Sequence, residues 1–67
     1  MKPDEDREWF DGTDKDSFAA AARTAVDNAE AEFHRRGQGN PMEYDVRLQV
    51  LAEGPLSGYK VLISPSG

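Results

Sequence analysis

The chain has no cysteine and a single histidine, His34. No disulfide can staple it, and neither a thiolate zinc site nor a histidine-rich metal cluster can be built from it. No apolar run approaches the ~20 residues that a bilayer-spanning helix requires. The N-terminal residues hold no basic stretch leading into an apolar core, so no secretory leader and no membrane partner are expected, and the cytoplasm is the expected setting. Positive charge is scarce as well. The 8 Lys and Arg residues stand against 13 Asp and Glu, for a net charge of −5. That balance repels phosphate backbones and argues against a nucleic-acid partner.

The constellations of catalysis are missing too. Ser17, Ser57, Ser64 and Ser66 have no histidine–acid partners in context. Gly37-Gln38-Gly39 follows a helical segment instead of opening one, so it is no phosphate loop. His34 belongs to the polar side of its helix, without the positioned partner that general acid–base work needs. Asp11, Asp14 and Asp16 lack the central glycine and distal glutamate of a calcium loop. No enzyme activity, no catalytic residue and no metal site are expected.

What is present is a change of hydrophobic period. From Asp14 to Arg36, Phe18, Ala22, Ala25, Val26, Ala29 and Phe33 recur at helical spacing. From Tyr44 to Ala52 the period drops to two: Tyr44, Val46, Leu48, Val50, Ala52. Before the helix, Arg7 to Asp11 reads as a short strand holding Trp9 and Phe10, broken by Gly12. Thr13 or Asp14 is the expected cap, with Asp16 in the first turn. Gly37 is the expected stop, and Arg35-Arg36 meet the negative end of the helix dipole. Gly37 to Pro41 forms a turn, and a strand runs from Met42 or Glu43 to Glu53. Gly54-Pro55-Leu56-Ser57-Gly58 makes a hairpin loop. A last strand, Tyr59 to Ser64, puts Tyr59, Val61 and Ile63 on one face and Lys60, Leu62 and Ser64 on the other, and Pro65 ends it.

These elements predict one α+β domain over residues 7–67, after a frayed tail over 1–6. The order is β-α-β-β, in two layers. A three-stranded antiparallel sheet of order 1-3-2 is expected, with the one helix on one face. Phe18, Ala22, Ala25, Ala29, Phe33, Val46, Leu48, Val50, Val61 and Ile63 are the expected core. Leu51 and Leu62, with one of Trp9 or Phe10, point to the other face. A chain of 67 residues is marginal alone, so those leucines are the expected interface of a homo-oligomer.

A strand followed by Gly12-Thr13, Ser17-Phe18, Ala21-Ala22, Ala25-Val26 and Ala29 resembles the opening of dodecins. Dodecins are small flavin-binding proteins of strand–helix–strand–strand order that assemble into hollow dodecamers. The likeness covers about Trp9 to Ala29. It implies a stacking ring and a glutamine at a flavin. The dodecin pattern places its tryptophan on the second strand, whereas the one tryptophan here is Trp9 on the first. Tyr44 or Trp9 would then stack, and Gln49 would meet the ligand's polar edge.

The sequence therefore predicts a small soluble non-enzymatic oligomeric or interaction module that needs no cofactor. The alternative is a dodecin-like binder of flavin or another flat aromatic ligand, with Trp9, Tyr44 and Tyr59 as candidate rings.

Overall fold

The structure, a computed structural model, describes residues 7–52 and 57–66. The expected tail over 1–6, the expected strand end at residue 53 and residues 54–56 of the expected hairpin loop lie outside the described residues. The chain forms β1 (Phe10–Asp14), α1 (Phe18–Arg35), β2 (Tyr44–Leu51) and β3 (Gly58–Pro65). The strands make a three-stranded sheet of order β1-β3-β2, antiparallel at both seams. This is the two-layer α+β arrangement that the sequence predicts. Among the described residues, no helix is long and apolar enough to cross a membrane.

The first boundary differs from expectation. Gly12 does not break β1 but lies buried in its middle, opposite Val61. Thr13 belongs to β1 and caps nothing. Ser17 is the N-cap, with extended backbone (φ −159°, ψ 152°), and its Oγ accepts the Ala20 N–H at 3.0 Å. Asp14 acts one step earlier. Its Oδ2 accepts the Asp16 N–H at 2.8 Å and the Ser17 N–H at 3.0 Å, turning the chain from strand to helix. No acid lies in the first helical turn.

The other end is as expected. Gly37 has φ +74°, the left-handed conformation that glycine adopts without a Cβ penalty. Its N–H donates to the His34 carbonyl at 3.0 Å, and the Gln38 N–H donates to the Phe33 carbonyl at 2.8 Å. These are the two bonds of a Schellman cap. Arg35 and Arg36 do more there than meet the dipole. Both pair with Glu32, and Arg36 also grips Glu8, tying the helix end to the chain just before β1.

The core is small: Ala21, Ala25, Ala29, Phe33, Val61 and Ile63. Ala21, Ala25, Ala29 and Phe33 form one row at i, i+4 spacing, and Gly12 sits under its first two alanines. Phe10 meets Phe33 edge-on at 5.3 Å between ring centroids, and Phe18 lies 4.6 Å from Tyr59. Three helix positions need correction. Ala21, absent from the expected core, is fully buried, whereas Phe18 and Ala22 are half-buried on the flank.

The larger correction concerns β2. Val46, Leu48 and Val50 are expected in the core but are 56%, 58% and 64% exposed. Their facing is nevertheless the expected one. Val46 stands opposite Ile63 and Leu48 opposite Val61, so they share the helix side of the sheet with the core residues of β3. The helix packs over β1 and β3. One helix is about 10–12 Å across and strands lie about 4.8 Å apart, so it roofs about two strands of the three. The side chains of β2 point to the correct layer but reach beyond the helix.

Candidate functional site

The outer sheet face is a polar, charge-paired surface. Phe10 turns to the core, which sends Trp9 to this face, where the Arg47 guanidinium lies 4.7 Å and the Arg7 guanidinium 5.0 Å from the ring centroid. Arg7 also donates to Asp45 Oδ2 at 2.6 Å, to Ser64 Oγ at 3.1 Å and to the Pro65 carbonyl at 3.1 Å. Asp45 accepts from the Ser66 hydroxyl at 2.9 Å. The Ser66 hydrogen bond, joined by Arg7, holds the Asp45 carboxyl below the usual carboxylate range. Lys60 lies 3.9 Å from Asp11 across β1 and β3. Sequence reasoning missed Arg7, Asp45 and Arg47. The period-2 parity that puts Arg47 on the same side as Leu62 was the available signal.

The residues expected to hold a flat ligand divide between the two sides. Gln49 stands opposite Lys60 on the outer side, the side of Trp9. Tyr44 falls on the other side, where its ring packs against the core cluster. Its hydroxyl is buried and makes no hydrogen bond among the described residues. Burial, with the charge of Glu30 adding to it, pushes that phenol's pKa up. Leu51 and Leu62, the expected interface, are both half-buried on the outer side.

Met42, before β2, is fully exposed, and within the sheet the exposed apolar side chains lie on the helix side. Val46, Leu48 and Val50 form a row along β2. The flank of α1 above that row can be identified. Asn28 reaches the outer edge of β1, donating from Nδ2 to the Asp11 carbonyl at 2.9 Å. At 100° per residue, Ala22 and Val26 lie across the buried row from Asn28, and so on the β2 side. Both are half-buried against the core. The result is a trough with an apolar floor and one wall, open at the edge of the sheet.

The backbone along that edge has a definite pattern. The Ser66 N–H donates to the Glu43 carbonyl at 3.1 Å, one step beyond the β2–β3 ladder and in the same register. Hydrogen-bonded and non-hydrogen-bonded pairs alternate in an antiparallel ladder. Asp45, Arg47, Gln49 and Leu51 therefore turn their N–H and C=O groups to β3. Tyr44, Val46, Leu48 and Val50 turn theirs to the open edge. The same alternation turns the groups of Asp11 and Thr13 to the outer edge of β1, where Asn28 takes the Asp11 carbonyl. One sheet edge is thus short, acidic and partly capped, while the other is eight residues long and carries the exposed apolar row.

No protein-family model matches this chain, and neither a curated protein nor a solved structure does.

Proposed function

We propose that this chain is a small non-enzymatic module that works by self-association or by binding another protein, with the helix-side surface of β2 as its contact. The observation that carries this reading is the exposure of Val46, Leu48 and Val50 in one row. Large apolar side chains gathered in a line, beside a helix flank that is itself half apolar, form the kind of patch that contact surfaces use. Size supports the reading. Among the described residues the core has six members, three of them alanine, which leaves little apolar area to offset chain entropy, and association supplies more. The cysteine-free composition fits a reducing compartment, and the cytoplasm is the setting this reading takes.

Leu51 and Leu62 remain a second apolar pair on the opposite face, among ion pairs. Molar mass in solution separates the two faces. Leu48→Lys should lower the mass of the assembly, with the helical circular dichroism retained. Leu51→Lys with Leu62→Lys should leave the mass unchanged. The reverse pattern would move the contact to the outer face.

A further inference from the structure

We infer that β2 pairs antiparallel with β2 of a second copy across a two-fold axis at Leu48, joining two three-stranded sheets into one of six strands. This rests on the self-association reading and deepens it by naming the partner and the register.

Three observations converge on that geometry. The first is backbone supply. The outward-turned N–H and C=O groups belong to Tyr44, Val46, Leu48 and Val50, and the last three of these carry the side chains of the exposed row. A strand added at this edge would satisfy the backbone and line up the apolar row in one step.

The second is self-complementarity. A two-fold contact requires that if one residue meets another, the reverse contact is also made. With the axis at Leu48, Leu48 meets Leu48 of the second copy, and Val46 meets Val50. All three residues of the β2 row then face apolar partners on the helix side. On the outer side Arg47 meets Gln49, and Asp45 meets Leu51. Moving the axis by one residue to Arg47 would set two arginines directly opposite each other, which is destabilising. Moving it to Gln49 would leave Val46 facing only Ala52. The pattern of charge and size along β2 selects the Leu48 register.

The third is closure. A two-fold axis perpendicular to the sheet keeps both helices on one side, so the two troughs merge into one between them. The remaining edges are the β1 strands, short and bearing Asp11 with its carbonyl taken by Asn28. Such edges resist further strand addition. The assembly therefore stops at two copies through this contact instead of growing as a ribbon.

The absence of native cysteine makes the test clean. Directly opposite hydrogen-bonded residues sit about 5.5 Å apart at Cα, within the roughly 4.4–6.8 Å that a disulfide accepts. Leu48→Cys should oxidise to a covalent dimer. Val46→Cys and Val50→Cys should each cross-link poorly alone, because each meets its own copy about 13 Å away at ~3.3 Å per residue. Mixed together, they should form the heterologous cross-link several-fold more than either alone. Light scattering on the unmodified protein runs beside this. A dimeric mass with efficient self-cross-linking of Val46→Cys, or with no cross-link at any of the three positions, overturns the register while sparing self-association. A monomeric mass at all concentrations overturns both.

Discussion

Gly12 of β1 lies directly beneath Ala21 of α1, so close that a Cβ on Gly12 would stand 2.3 Å from the Ala21 carbonyl oxygen and 2.4 Å from the Ala25 nitrogen. Both atoms are backbone, and no rotamer change can move them aside. This contact sets the spacing between helix and sheet. It also explains why the buried helix row is alanine at Ala21 and Ala25.

Gly12→Ala should therefore destabilise the fold at or beyond the upper end of the ~1–3 kcal/mol typical of overpacking. Gly37→Ala makes a useful contrast. Nothing lies within 4 Å of a Cβ there, and the strain comes only from its φ of +74°. The expected loss is about 1–2 kcal/mol, the cost of a left-handed conformation for an L residue. Urea denaturation of both variants checks the order. A Gly12→Ala protein as stable as the parent would mean that the helix does not rest on β1 as described.

Acid should weaken the fold. Hydrogen bonds hold three carboxyls below their ordinary values: Glu8 through Arg36, Glu32 through Arg35 and Arg36, and Asp45 through Ser66 and Arg7. A carboxyl whose folded pKa is depressed leaves the native state with fewer bound protons than the unfolded chain as pH falls. Its stabilisation is complete above the ordinary carboxylate range and is lost as pH drops through the lowered folded values. Thermal midpoints should therefore be flat near neutrality and decline below about pH 4. Glu8 and Asp45 are exposed and Glu32 is half-buried, so added salt should shrink the effect. A midpoint that rises on acidification would contradict the assigned pairs.

Riboflavin should not bind appreciably to the isolated chain. Tyr44 is packed in the core layer, while Trp9 and Gln49 belong to the opposite side, and two guanidiniums already lie over the Trp9 ring. Such a cation–ring contact contributes about 0.5–1 kcal/mol at an exposed site, close to the 0.5–1.5 kcal/mol of one stacked aromatic pair. A flavin would therefore gain little by displacing an arginine. Titration should leave flavin fluorescence unquenched. Strong quenching, abolished by Trp9→Ala, would favour the dodecin-like reading instead.

Much of this was legible in the chain because local period and topology were in agreement. The switch from helical to alternating spacing at Tyr44, the stop at Gly37 and the doubly apolar Val61-Leu62-Ile63 led to the element order and the central place of β3. Gly12 misled because a glycine reads as punctuation, while here it is a point of close approach. Thr13 misled because two cap-forming residues precede the one that caps, Ser17. The exposure of Val46, Leu48 and Val50 was not legible at all. Their parity is that of core residues, and which strands a single helix roofs depends on how it sits over the sheet. The Trp9–Arg47 contact was hidden for a related reason. It joins positions far apart in sequence that only the strand order brings together.

The proposed meeting of β2 with a second copy fixes the mass of the protein in solution. The most direct measurement is the molar mass of the unmodified protein by light scattering across a wide concentration range at neutral pH. The expected mass is twice the chain's 7.4 kDa, falling toward 7.4 kDa on dilution or on introducing Leu48→Lys. A mass that stays at 7.4 kDa to the highest concentration would contradict it.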